Sequence, residues 1–169
     1  MTTAGFKGSR VRGFRCAVVL AGVFMLRPLA AVHAEGDKTP ATERTPEQTV
    51  TRYLEALKAE NFPGAYEYIT KGMAQNKPRD AWAKELQWTM QMSEAKIFDY
   101  HVYPGKVEGE KAYVPNILSS QDKFLNQLGV QEHELYTLIR EDGRWKIDQQ
   151  QLVEKSDQGK WFPPQAQEK

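Results

Sequence analysis

The spacing of apolar residues changes once along this chain, and that change dictates most of what the chain can fold into. Up to Met90 they recur every third or fourth residue, and beyond Ile97 every second one. A period near 3.6 belongs to helices with one apolar face, and a period of two to strands whose alternate side chains face a core. The sequence therefore predicts an α+β domain in which three N-terminal helices pack on one side of a curved antiparallel sheet.

The first helix is the best specified. Thr45 is a good N-cap, Pro46 suits the first turn because its missing N–H would be unpaired there anyway, and Gln48 completes a capping box. Val50, Tyr53, Leu54 and Leu57 then fall on one face, while Thr51, Arg52, Glu55 and Lys58 face water. A second helix is predicted after Asn61, with Phe62, Ala65, Tyr66 and Ile69 as its stripe and a stop at Gly72. A third runs from about Arg79 to Gln91 on Trp82, Ala83, Leu86 and Met90. Trp88 falls off that stripe and is expected over a neighbouring element or partly exposed.

In residues 94–105, Phe98, Tyr100 and Val102 alternate with Ile97, Asp99, His101 and Tyr103, until Pro104 and Gly105 end the strand. A second ladder runs from Val107 to Leu118 around a turn at Glu108, Gly109 and Glu110. Ala112, Val114 and Asn116 alternate there with Tyr113, Pro115 and Ile117. Pro115 has no N–H to donate, which predicts an edge position or a bulge. Residues 133–140 and 144–149 then form a hairpin about Glu141, Asp142 and Gly143, with Trp145 and Ile147 on one face. Between the hairpins, residues 122–129 carry Phe124, Leu125 and Leu128 in a short turn. The folded part spans about residues 45–155, enough for one hydrophobic core, and residues 156–169 form a polar tail expected to dock weakly or wander.

Residues 1–34 are unlike the rest. They hold Lys7, Arg10, Arg12, Arg15 and Arg27, no acid, and an apolar run from Cys16 to Leu26. A positive segment followed by a short apolar one is the pattern of a secretory signal. The run is far below the roughly 20 residues of a membrane-crossing helix, so no stable span is predicted. Val32 and Ala34 occupy the small-residue positions read by a signal peptidase, which predicts cleavage before Glu35 and a periplasmic or secreted product. An uncleaved anchor and a mitochondrial targeting segment are the alternatives. Residues 35–44 read as a flexible polar spacer.

The leader hides the charge of the remaining chain. It carries five of the 23 basic residues and none of the 22 acidic ones, which leaves 18 against 22 and a net charge of about −4. A mildly acidic domain without a basic cluster offers no field for nucleic acid. The only cysteine is Cys16, so the remainder has neither disulfides nor thiolate sites. No phosphate-binding glycine loop and no metal-ligand spacing occurs; no cofactor and no metal are expected.

TPEQTVTRYLEALKAENFPGAYEYIT resembles the opening helices of the NTF2-like superfamily, particularly its small exported or lipoprotein members of the DUF4878 kind, and LYTLIREDGRWKIDQ is similar to that group's closing strand pair. The resemblance covers about residues 46–153. It implies a cone of three helices and a bent sheet, often dimeric through the exposed sheet face, with a pocket that is catalytic in some members and structural in others.

Tyr66, Trp82, Tyr100, Tyr113 and Trp145 are candidates to line such a pocket, with apolar rings inside and phenolic hydroxyls at the rim. Asp99 and His101, two apart on a strand, share a face, so Asp99 orienting His101 as a general base is the alternative. That pair would serve a small isomerase or hydrolase. The other reading is a solvated strand face, which leaves a non-catalytic exported module binding a small apolar ligand or an envelope protein.

Overall fold

The computed structural model describes residues 44–123 and 130–167. The predicted leader, the spacer apart from Arg44, and Phe124, Leu125 and Leu128 lie outside the described residues. Helix α1 spans Pro46–Lys58 and begins with the predicted box: Thr45 Oγ1 accepts from Gln48 N at 3.2 Å, and Gln48 Oε1 accepts from Thr45 N at 3.0 Å. Val50, Tyr53 and Leu54 are buried on its inner face.

The second helix is shorter than its periodicity predicts. Helix α2 is a single turn, Phe62–Ala65, followed by a 3₁₀ turn at Tyr66–Tyr68. Ile69 is already extended and bridges Ile147, with Thr70 N donating to Ile147 O at 2.8 Å. A β-branched residue loses little by leaving a helix, and the hydrogen bond to the sheet replaces the one given up. Helix α3 spans Arg79–Ser93, turning Trp82, Ala83, Leu86 and Met90 inward. Trp88 and Met92 lie on its opposite side.

Five strands form one antiparallel sheet: β1 Lys96–Val102, β2 Lys106–Glu108, β3 Lys111–Gln121, β4 Val130–Glu141 and β5 Arg144–Leu152. Their order is β1-β3-β4-β5, with β2 pairing on β3. Ala112, Val114 and Leu118 from β3, Tyr136 and Leu138 from β4, and Trp145 and Ile147 from β5 meet α1 in the main core.

Alternation fails once in β1. Ile97 pairs with Ser120 and Asp99 with Ser119, so Phe98 is the extra residue of a bulge. Ile97, Tyr100 and Val102 consequently pack on the core, whereas Phe98, read as one of the apolar set, is 43% exposed.

Pro115 stands in β3, which has partners on both sides, and not at the predicted edge or bulge. Its carbonyl accepts from Tyr103 N at 2.9 Å, so its nitrogen points to the same side of the strand. There β1 has ended and β2 has not begun, and the missing donor costs no ladder bond. Gly105 lies in this break: its N–H donates to Glu47 Oε1 at 2.9 Å, and a Cβ there would come within 2.9 Å of Tyr113 O.

The largest departure is the C-terminal segment. Instead of a weakly docked polar tail, residues 157–167 cross the sheet face opposite the helices. Helix α4, Gln158–Trp161, and a 3₁₀ turn at Pro164–Ala166 bring Phe162 onto Leu135 and Val153 as a second core, 3% exposed. Phe162 meets Tyr103 and His133 edge-on at 5.5 and 4.8 Å, Trp161 lies 5.6 Å from Tyr113, and His133 Nε2 is 2.6 Å from Ala166 O. The face expected to be open to a second copy is thus covered across β3 and β4.

Candidate functional site

The five aromatic candidates do not line one pocket. Tyr66 and Trp82 do meet, edge-on at 5.7 Å between α3 and the turn after α2, and Tyr66 donates its hydroxyl to Lys77 O at 2.9 Å. Tyr100 is half-buried on β1 with the Lys58 ammonium 5.8 Å from its ring. Trp145 is buried near the start of β5 under the Arg140 guanidinium, 4.6 Å away. Tyr113 belongs to the opposite face of the sheet, because its neighbours Ala112 and Val114 face the core.

Asp99 and His101 are both exposed. The Asp99 carboxylate, 82% exposed, faces Lys58 Nζ at 3.8 Å, and the His101 ring packs on Tyr103 at 4.4 Å. The two share a face, as their spacing predicts, but that face belongs to the outer side of the sheet and no enclosed pocket holds them together.

A carboxyl group that the sequence pattern did not single out lies in the interior instead. Across the inner face, Asn116 pairs with Glu134 and Glu134 with Leu152. Glu134 is 2% exposed; its Oε2 accepts from Asn116 Nδ2 and from the Tyr136 hydroxyl, both at 2.9 Å, and its Oε1 accepts from Gln150 Nε2 at 2.7 Å. Burial pushes the Glu134 carboxyl above the usual range against the pull of these three donors, and the nearby Glu132 charge adds to the rise. Burial, and then the Glu134 charge, push the Tyr53 and Tyr136 hydroxyls up as well, so both remain protonated donors. The Asn116 amide oxygen, wholly buried, has no partner among the described residues. The signal was present in the sequence, since Glu134 is in phase with Tyr136 and Leu138, and Asn116 with Val114. This cluster can hold a proton and fix the sheet against α1. Its carboxyl is fully engaged by donors of the protein itself.

An accessible site lies elsewhere. A cleft of about 260 Å³ opens where the ends of α1 and α3 approach the start of β1. Phe62, Met90 and Ala95 supply its apolar wall, and Glu60, Glu94 and Lys96 its charges, with Gln87 and Gln91 alongside. Beside it, on the outer side of α3, Trp88 is 63% exposed and Met92 is 50% exposed. Among the described residues no three His, Cys, Asp or Glu side chains gather as a metal would require, and no helix is long and apolar enough to cross a membrane.

No protein-family model matches the sequence, and no curated protein matches it either. Solved structures do. An NTF2-like protein of unknown function from Cytophaga hutchinsonii aligns at 17% identity over 67% of this chain and 94% of its own, with a TM-score of 0.41. Another from Shewanella baltica aligns at 13% identity over 64% and 91%, with a TM-score of 0.43. A SEC-C motif-containing protein from Rhodopseudomonas palustris aligns at 13% identity over 66% of this chain and 83% of its own, with a TM-score of 0.51. With that last protein the chain shares its fold, and at this identity the likeness extends to the fold alone.

Proposed function

We propose that this chain is an exported, non-catalytic NTF2-like module of the DUF4878-like kind, which binds a small apolar ligand or an envelope protein in the periplasm or outside the cell. The observation that carries the reading is the apolar surface on and beside α3. A tryptophan and a methionine one turn apart project away from the core, next to a cleft with an apolar wall. Exposed large apolar groups gathered in this way mark contact sites more often than single ones do. The superfamily assignment draws on the capped opening helices and the closing hairpin, and export on the basic and apolar leader. A hydrolase or isomerase working through Asp99 and His101 is the rival, and it would need both side chains enclosed in one pocket.

A photoreactive residue at position 88, in protein expressed in its native cell, tests the reading. The expected result is a discrete crosslinked envelope protein, or an apolar compound that co-purifies and is lost on Trp88→Glu. A probe at Glu110, on a distant turn, should give neither. If position 88 behaves like position 110, the module reading fails. Intact-mass measurement of the exported form tests the leader, and a retained Met1 would exclude cleavage before Glu35.

A further inference from the structure

Two helices, α1 and α3, end at this cleft, and each places a glutamate where its backbone turns left-handed. Helix α1 closes at Ala59, whose N–H bonds back to Glu55 O at 3.0 Å, and Glu60 follows in the left-handed region at φ 55°. Helix α3 closes at Glu94, itself left-handed at φ 52°, with Ala95 N donating to Met90 O at 2.9 Å. A helix C-terminus carries roughly half a negative charge and favours lysine or arginine, and its left-handed position favours glycine or asparagine. At this cleft both positions hold glutamate. Two carboxylates therefore stand on two negative helix ends around one opening, an arrangement a cation would relieve.

The protein's own cations relieve it only in part: Lys58, in the last turn of α1, faces Asp99 Oδ1 at 3.8 Å. Lys123 Nζ lies 3.9 Å from Glu94 Oε1, beyond hydrogen-bond range, and the Glu94 side chain is 72% exposed. Lys96 stands at the rim. The opposite wall is apolar: Phe62 is 5% exposed, and Met90 and Ala95 are half-buried beside it. At about 260 Å³ the cleft falls just below the roughly 300–1,000 Å³ of ligand pockets in general, which limits an occupant to one ring or a short chain.

We propose that this cleft binds a small apolar primary amine, its hydrocarbon body on Phe62, Met90 and Ala95 and its ammonium between Glu60 and Glu94. The inference rests on the binding-module reading and names the chemistry of the ligand. The ammonium has three donors for two carboxylates, and the apolar wall excludes water from one side of the ion pairs, where they are screened less than on an open surface.

Titration of the purified protein with phenethylamine and with its neutral counterpart 2-phenylethanol, followed by amide NMR shifts, is the test. Saturable shifts are expected at residues 60–62 and 87–96, with the amine bound about tenfold more tightly than the alcohol. Glu60→Gln and Glu94→Gln should each weaken the amine roughly threefold, and the double variant should bring it to the affinity of the alcohol. Both residues are on the surface, so unchanged shifts elsewhere will report an intact fold. Equal binding of amine and alcohol, unchanged affinity in the double variant, or shifts confined to another region would each overturn the proposal. None of these outcomes touches the crosslinking result at position 88, so failure of the ligand chemistry and failure of the module reading are separable.

Discussion

Glu47 and Glu134 are both partly or wholly withdrawn from water, yet they respond to pH in opposite directions. Burial works against the charge of Glu47, but its own backbone N–H, that of Gly105 and the Thr45 side chain outweigh it and hold its carboxyl below the ordinary value of 4.5. Its contribution is present above that value and is lost as pH falls through the lowered one. Glu134 is held above 4.5, chiefly by burial, so the unfolded chain ionises first and stability falls as pH rises past 4.5. Glu47→Gln should therefore cost about 1 kcal/mol at pH 7 and little at pH 4. Glu134→Gln should be neutral at pH 4 and gain about 1 kcal/mol at pH 7, because it removes a buried charge. Urea denaturation at the two pH values measures both; a Glu134→Gln protein less stable than its parent at pH 7 would show that the carboxylate is worth more than its desolvation. Thr45 and Gln48 were legible because a capping box is local. Glu134 was not, because an ionisable residue reads as exposed until its phase with Tyr136 and Leu138 is given more weight than its charge.

Among the elements, the cap and the stripe of α1 were legible, since both lie within a few residues of one another. Helix α2 and β1 were misread where a distant partner decides. Ile69 leaves the helix for a bridge to Ile147, and Phe98 is pushed out by a bulge fixed by the pairing of β1 with β3. The C-terminal strap is the clearest case, because Trp161 and Phe162 have no periodicity, and only the opposite sheet face, assembled from Tyr103, Ile117, His133 and Leu135, makes them core. Phe162→Ala removes the centre of that second core and should cost about 3 kcal/mol, the usual range for truncating a buried aromatic residue. Amide exchange distinguishes its scale. Faster exchange at Ala166 and Val153, with β3 unchanged, would mark the strap as a separately opening unit, whereas uniform acceleration would make it part of the global fold.

At the scale of the whole domain, the sheet has two apolar faces and the chain covers them in different ways. The inner face meets α1 and the turns after it, an arrangement legible from the change of period at Met90 to Ile97. The outer face carries Tyr113, Ile117 and Leu135, and the strap is what lies on them. A chain ending at Glu154 keeps every strand and the helices of the inner layer but leaves these three side chains on one open surface. A contiguous apolar patch on a sheet face favours association, and two such faces would pack about 10 Å apart as in a sandwich. The truncated protein should therefore sediment as a dimer or larger species at concentrations where the full chain sediments as a monomer. Adding Leu135→Lys to the truncated chain should restore the monomer by placing a charge at the centre of the patch. If the truncated chain stays folded and monomeric, the strap serves stability alone. If the full chain already dimerises and Leu135→Lys leaves that dimer intact, copies meet through another surface, and the exposed side of α3 with Trp88 and Met92 becomes the next one to substitute.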